Sequence, residues 1–274
     1  MNLQSEASFP REMAVEIRLD DSPHYKGSIH DDAVARARGY RAALVPGAFV
    51  YGHVSRIAID AWGKAWAQSG AMGARFRRPV FNGDRLVLRA GPLEADDNMR
   101  KSEVSVENQD GENVAAGWIG IPDSAPAPLD VAMFRLVPRP QEPPAVSPGG
   151  MVVGMPLTTA GGILSEAAFR ASLSAFGEHH PFYTDGRLVH SGCLMRVAMG
   201  DTNNSFKSPS PIILVAAEAQ HFATVRPGQR LETVGQVTAV YQRNGKHYFE
   251  SEEFLLADGT LSARFNRTSV YAYG

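Results

Sequence analysis

One cysteine, Cys193, stands among 274 residues, so no internal disulfide can form and no cysteine cluster can hold a metal. No apolar run approaches the ~20 residues needed to span a bilayer. Neither sign of charge is in excess: 27 Lys and Arg face 29 Asp and Glu, a net of −2. That balance lacks the basic footprint of a nucleic-acid-binding protein. The opening stretch MNLQSEASFPREM lacks the basic-then-apolar order of a secretion signal. The expected address is cytoplasmic, with no nucleic acid and no membrane as partner.

What the chain does contain is one series of marks, twice. Pro46-Gly47 opens an apolar helical run, Gly83-Asp84-Arg85-Leu86 follows, and then Asp110-Gly111. Later come Ser191-Gly192, Gly228-Gln229-Arg230-Leu231 and Asp258-Gly259. The first two marks recur after 145 residues and the third after 148. A single recurrence at so long a period implies two copies of a complete small domain. Grooves between such twins are favoured ligand sites.

In the first copy, Met13–Leu19 alternates apolar and polar, the pattern of a half-buried strand. A turn-rich loop from Asp20 to Ser28 leads to a short helix at Asp31–Arg38, acidic at its positive end and closed by Gly39. Gly47 to Trp66 is apolar at nearly every helical position, an enclosed helix in which Trp62 and Trp66 serve as core. Strands are predicted at about 71–80, 84–94, 99–109 and 112–121, with Gly83-Asp84 and Asp110-Gly111 as turns. Nine of the 18 prolines then fall within residues 122–156. Proline fixes φ and removes a donor, so this stretch reads as an extended linker in which only Val131–Val137 could add a strand.

The second copy reads as a helix at Gly162–Phe176 closed by Gly177, then a polar loop, EHHPFYTDGR, and an apolar helix from Cys193 to Met199. Strands follow at about 212–225, 230–243, 246–257 and 260–272. One helix laid across a curved antiparallel sheet, twice, is an α+β double hot-dog. The expected domains are 1–121 and 157–274, joined by the proline-rich 122–156, with the two sheets meeting edge to edge.

These marks resemble the MaoC-like (R)-specific enoyl-CoA hydratase/dehydratase family, whose loop reads loosely Asp-x-Asn-Pro-x-His-x-Asp ahead of a helix, a Gly-aromatic pair and a Pro/His-Gly. The first copy follows the right half of that pattern with His30-Asp31-Asp32-Ala33-Val34-Ala35, Gly39-Tyr40 and Val45-Pro46-Gly47. Phe76-Arg77-Arg78-Pro79-Val80 before Gly83-Asp84 is a second family mark. Tyr25 occupies the place of the family's Asp. The second copy follows the left half: Glu178-His179-His180-Pro181-Phe182-Tyr183 puts Glu178 in the Asp place and Tyr183 in the His place. Its intervening helix is missing, and Leu188-Val189-His190-Ser191-Gly192 resumes the pattern. Arg267-Thr268-Ser269-Val270-Tyr271 resembles the end of the family's last strand.

The resemblance implies an acyl-CoA or acyl-carrier thioester as substrate, Asp and His as base and acid for water, and a backbone N–H at the helix start polarising the carbonyl. A positive helix end suits a developing enolate oxygen. Three readings stay open. His30 works in one groove, helped by Asp32 or Tyr25; or Glu178 is the base, with Tyr183 or His180 as donor and Gly192 as oxyanion N–H; or both grooves only bind. Gly47 is the oxyanion candidate of the first copy, and His190 a substrate-binding candidate of the second. Hydrolysis of an acyl thioester by Glu178 with Gly192 is an alternative chemistry on the same fold.

Each residue also has a structural reading. His30 could cap the helix beginning at Asp31, and Asp31 and Asp32 could complement its dipole. Gly47 and Gly192 could be demanded by close packing, and Cys193 by burial. The His179-His180 doublet has no spaced metal-ligating partner, so no metal and no cofactor is expected. Arg77, Arg78, Arg187, Arg196 and Arg243 could each meet a CoA phosphate, and sequence does not choose among them. The duplicated chain already supplies the pairing a single hot-dog needs, and further homodimerisation stays open.

Overall fold

The computed structural model describes residues 9–20, 23–127 and 129–274. Most of the N-terminal stretch read for a signal lies outside the described residues, as do Asp21 and Ser22 of the turn-rich loop and Pro128 of the linker. The first half contains β1 (Arg11–Glu16), α1 (Asp32–Ala37), α2 (Gly47–Trp62), α3 (Lys64–Ser69), β2 (Ala71–Phe76), β3 (Arg85–Ala90), β4 (Glu94–Asp96), β5 (Met99–Asn108) and β6 (Asn113–Pro122). After the linker come β7 (Gly162–Ile163), α4 (Glu166–Ala175), α5 (Pro181–Thr184), α6 (Ser191–Asn203), β8 (Ile213–His221), β9 (Arg230–Arg243), β10 (Lys246–Ala257) and β11 (Thr260–Tyr273).

The strands form one antiparallel sheet in the order β1-β3-β5-β6-β2-β8-β11-β10-β9-β7, with β4 paired to β5. Its midline is the seam between the halves, where Ala71 to Arg75 of β2 pair with Gln220 to Ala216 of β8. The expected edge-to-edge joint is this ladder. Helix α2 packs on β1, β2, β6 and β8, and α6 on β9, β10 and β11. The protein is therefore an α+β double hot-dog. Alternation of inward residues builds each sheet face: Leu86, Leu88, Val104, Val106 and Ile119 in the first half, Leu231, Leu255, Ala263 and Phe265 in the second, all joined in one buried cluster.

Several boundaries differ from the sequence reading, each for a local reason. The helix expected to run to Trp66 breaks at Gly63, whose φ of 53° ends α2 and starts α3. The strand expected to reach residue 80 stops at Phe76, because the N–H groups of Arg77 and Arg78 both donate to Val114 O, at 2.8 and 3.2 Å, a bulge that ends the ladder before Pro79. The strand expected to reach residue 94 ends at Ala90, and Glu94–Asp96 forms a separate short pairing on β5. The helix expected from Gly162 begins at Glu166 with Ser165 as its cap, because Gly162 and Ile163 bond to β9 instead. Helix α6 runs four residues beyond Met199, to Asn203; the polar loop holds the short α5, and no helix follows it before Ser191, in keeping with the missing intervening helix.

Val131–Val137 forms no strand. Phe134 N–H donates to Val131 O, and the Phe134 ring lies on Phe254 at 5.0 Å, so the apolar residues pin a turn. Further along the linker, Val146 and Met151 are buried with Leu157, Phe206, Val237, Phe249 and Tyr271 in a second apolar cluster. The linker is thus packed against β9, β10 and β11 for part of its length.

The two central helices touch through glycine. A Cβ on Gly52 would lie 2.3 Å from Phe176 Cε1, and one on Gly192 would lie 2.5 Å from Phe176 Cζ and 2.9 Å from Gly52 Cα. Phe176 cannot retreat, since its ring stacks on His190 at 4.4 Å and lies 4.9 Å from Phe49. Overpacking of this kind costs about 1–3 kcal/mol. Gly52→Ala and Gly192→Ala are each expected to lower the thermal midpoint by several degrees, and an unchanged midpoint by calorimetry would refute the contact.

Candidate functional site

The two helix starts differ. At α6, His190 is the cap: Gly192 N–H donates to His190 Nδ1 at 3.0 Å. An accepting Nδ1 carries no proton, so the neutral ring bears its proton on Nε2, which lies 3.6 Å from Glu178 Oε2. The Gly192 N–H is therefore engaged within the protein. Everything around it is buried: Glu178, Tyr183 and His190 are 5%, 1% and 1% exposed. Glu178 Oε1 accepts from Arg56 Nη1 at 2.5 Å and from His180 N–H at 2.7 Å. His180 caps α5 through Nδ1, which accepts from Phe182 N–H at 3.0 Å. Tyr183 and His190 pack at 4.8 Å. The cavity beside them, lined by Tyr183, Ser191 and His221, has a volume of about 10 Å³, room for one water.

At α2, Pro46 precedes the first turn and no side chain caps it. Gly47 N–H makes no hydrogen bond among the described residues. Gly47 lines a cavity of about 900 Å³ that His30, Tyr25 and Arg196 also line. A Cβ on Gly47 would sit 3.3 Å from Leu214 and Phe76, so the backbone there is closely walled.

His30 is held by its backbone. Its Nδ1 lies 2.6 Å from Leu44 O, and since a carbonyl only accepts, Nδ1 carries the proton. That fixes the tautomer and leaves the Nε2 lone pair free to take a proton. Burial lowers the His30 pKa below 6.5; the Leu44 bond opposes this, and His24 and Arg196 add to it. Tyr25 lies edge-on to His30 with centroids 5.7 Å apart. Its hydroxyl accepts from Arg196 Nη2 at 3.4 Å, and burial raises its pKa above 10, Arg196 opposing. A neutral imidazole with an open lone pair and a protonated phenol thus share one groove with an uncapped helix start.

Asp32 is not among the groove residues. Its Oδ1 accepts from Ala43 N–H at 2.6 Å and its Oδ2 meets Arg36 at 3.4 Å. It ties α1 to the chain leading into α2. The cap of α1 is Asp31, whose Oδ1 accepts from Ala33 N–H at 2.9 Å, so His30 is free of that task. Cys193 is 8% exposed and burial raises its thiol pKa.

Charge in the groove is one-sided. Arg38, Arg77, Arg78, Arg196, Lys246 and Arg267 line it, and no Asp or Glu does among the described residues. Of the five candidate arginines, Arg77, Arg78 and Arg196 line the cavity. Arg187 is instead paired with Glu166 at 2.6 Å, and Arg243 lies outside the groove. Sequence reasoning did not single out Arg267, Lys246 or the Leu44 carbonyl as site groups. Arg267 had a visible signal, since it follows Ala263 and Phe265 at the inward-facing spacing of a strand.

No family model matches the sequence, and no curated protein is similar to it in sequence. Solved structures do share its fold. A provisionally assigned MaoC domain dehydratase from Chloroflexus aurantiacus J-10-fl aligns with a TM-score of 0.63 at 16% identity, covering 97% of this chain and 95% of that one. A conserved Mycobacterium tuberculosis protein with a double hot-dog fold gives 0.58 at 17%, over 95% and 96% of the two chains. The 12:0-ACP thioesterase from Umbellularia californica gives 0.52 at 9%, over 98% and 99%. The chain is a double hot-dog protein, and its architecture is shared by MaoC-like dehydratases and by thioesterases. Among the described residues, no helix is long and apolar enough to cross a membrane.

Two buried imidazoles, His190 and His221, and the half-buried His53 bear on the acid stability. Burial lowers His190 to about 3 and His53 and His221 to about 4, with His53 and Arg56 adding to the fall at His190 and Arg56 at His53. These groups are neutral when folded and take up protons near pH 6.5 when unfolded. The unfolded chain therefore binds more protons below that pH, and stability, complete above it, is lost as pH falls. Each imidazole should cost about 1–2 kcal/mol at pH 5. The urea midpoint should be level above pH 7 and fall between pH 7 and 5, before most carboxylates titrate; a level midpoint across that interval would contradict the burial.

Proposed function

We propose that the protein is a hydratase/dehydratase of enoyl or 3-hydroxyacyl thioesters, of the MaoC-like family, working in the first groove. The observation that carries this reading is the pairing of His30, with Nε2 left open by the Leu44 bond, and the uncapped start of α2 in one cavity. The Gly47 N–H and the positive end of α2 receive the thioester oxygen as it gains enolate charge. His30 Nε2 takes a proton from the water whose oxygen bonds to Cβ, the Tyr25 phenol, kept protonated by burial, gives its proton to Cα of the enolate, and the imidazolium proton then returns to the phenolate. Dehydration runs the same steps backwards. Arg77, Arg78, Arg196 and Lys246 at the cavity suit the phosphates of CoA or of a carrier-borne pantetheine.

In this reading the second constellation is structural. Glu178, His180, Tyr183, His190 and Gly192 satisfy one another and hold α5, α6 and the Phe176 ring in place. The fold neighbours include thioesterases, so the assay must separate hydrolysis from hydration. With a trans-enoyl-CoA, loss of the enoyl absorbance without thiol release supports the proposal; thiol release from a saturated acyl-CoA favours hydrolysis.

His30→Gln is expected to lower kcat by about 10²–10⁴-fold, as removal of a general base does. Glu178→Gln should leave kcat of the folded enzyme unchanged and lower the thermal midpoint instead. Because His30 titrates below 6.5 and acts as a base, kcat/KM should be flat at pH 7 and fall on the acid side of 6.5. Full activity in His30→Gln would end the proposal.

A further inference from the structure

A phenol that gives up its proton leaves a negative charge behind, and Tyr25 is only 5% exposed. Such a charge needs a partner. Helix α6, which belongs to the second half, sends Arg196 into the first-half groove. Its Nη2 donates to the Tyr25 hydroxyl at 3.4 Å. Its guanidinium carbon lies 4.9 Å from the ring centroid of Phe49, in the first turn of α2. No carboxylate pairs with Arg196 among the described residues, whereas Arg78 meets Glu112 and Arg267 meets Glu253. A ring face holds a cation without cancelling its charge. Arg196 therefore keeps its full charge beside one oxygen.

The same contact aims the phenol. The Tyr25 hydroxyl has no acceptor among the described residues, so with Arg196 on a lone pair its O–H is left to donate into the cavity. Ser28 N–H and Oγ both donate to the Tyr25 carbonyl, at 3.1 and 2.7 Å, and fix the backbone behind the ring. His24 and His30 each lie with ring centroids 5.7 Å away. Burial raises the phenol pKa, Arg196 opposes it, and Asp20 adds to the rise. At His30 the influence of Arg196 comes after burial, the Leu44 bond and His24. Its charge thus bears chiefly on the phenol.

A contact of 3.4 Å to a neutral phenol is weak. Once the phenol is a phenolate, charge faces charge across that distance in a poorly solvated groove. The interaction strengthens as the proton leaves, which lowers the barrier instead of tightening ground-state binding.

We propose that Arg196 is the positioning residue of the proton donor: the second half reaches across to orient the Tyr25 hydroxyl and to hold the phenolate formed when its proton moves to Cα. This rests on the reading of the groove as a hydratase site. The Tyr25 O–H bond breaks, the Cα–H bond forms, and the electron pair stays on the phenolate oxygen. Arg196 keeps all its protons throughout, and the His30 imidazolium restores the phenol.

The test is a double-mutant cycle, with hydration of a trans-enoyl-CoA by the wild type, Arg196→Met, Tyr25→Phe and the double variant. Arg196→Met should lower kcat by about 10²-fold, as loss of one donor to a developing oxyanion does, with KM little changed. In the Tyr25→Phe background, where no phenolate forms, the same change should add nothing. A second readout needs no turnover. With 3,5-difluorotyrosine in place of tyrosine, the Tyr25 fluorine resonance, identified by its loss in Tyr25→Phe, should titrate at higher pH in Arg196→Met than in the wild type. Arg196→Gln, which keeps a donor and loses the charge, repeats both measurements should the methionine variant fail to fold. A phenol midpoint that stays or falls, an equal loss of kcat with and without the Tyr25 hydroxyl, or a raised KM at unchanged kcat (the mark of a phosphate contact) would overturn the inference and leave the hydratase reading in place. Absence of hydration by the wild type would overturn both.

Discussion

The close crossing of α2 and α6 is the constraint on which the rest of the molecule turns. With no side chain at Gly52 or Gly192, the two helices meet almost backbone to backbone, and the Phe176 ring is wedged beside them against His190. That wedge fills the angle between them. It also places His190 where its ring caps α6 and faces Glu178. The duplicated architecture is thus symmetrical in its strands and unsymmetrical in its helix ends. One end is sealed by aromatic and imidazole rings; the other opens on a cavity.

The same physical device, a helix N-terminus with spare N–H groups, is put to two uses. In the second half the spare donor is satisfied internally, which removes an unpaired buried group and adds stability. In the first half Pro46 offers no side-chain acceptor, and the donor is left for something else. A proline at that point also sets the chain direction without adding a competing N–H. The imidazole next to it is tied at Nδ1 by a carbonyl, so the ring orientation is set by the chain entering α2, not by a carboxylate partner. Asp32 contributes at one remove, by bonding Ala43 N–H and so fastening that segment.

Much of the fold is legible in the residues because its rules are local. Period-two alternation and the turns at Asp110-Gly111 and Asp258-Gly259 locate the meander strands; Asp258 and Gly259 both have positive φ, 49° and 77°, as a tight hairpin of that type needs. What escapes is set by distant partners. Nothing in residues 71–80 announces that two successive N–H groups will share Val114 O. The apolar spacing of Val131–Val137 suits a strand, yet Phe134 spends it on Phe254 across the sheet. In the site, His30 and Gly47 stand out by position in a motif, but the fate of the Gly192 N–H depends on a side-chain rotamer two residues away. The choice among arginines is likewise a matter of pairing: Arg187 is taken by Glu166, and nothing near Arg187 in sequence says so.

The one-signed lining of the groove has an effect that extends beyond contact distance. Six of the 27 cationic side chains gather around one cavity; Glu253 matches Arg267 and Glu112 matches Arg78, and Arg38, Arg77, Arg196 and Lys246 give the lining its positive charge. A mouth lined by these cations draws anions toward it. Low-dielectric walls concentrate such a field, so a multiply charged ligand is guided inward during diffusion and most of its encounters fall at the productive face. Dissolved salt weakens that guidance over a length of about 8 Å at physiological strength. Capture, more than retention, is then the step that responds to ionic conditions.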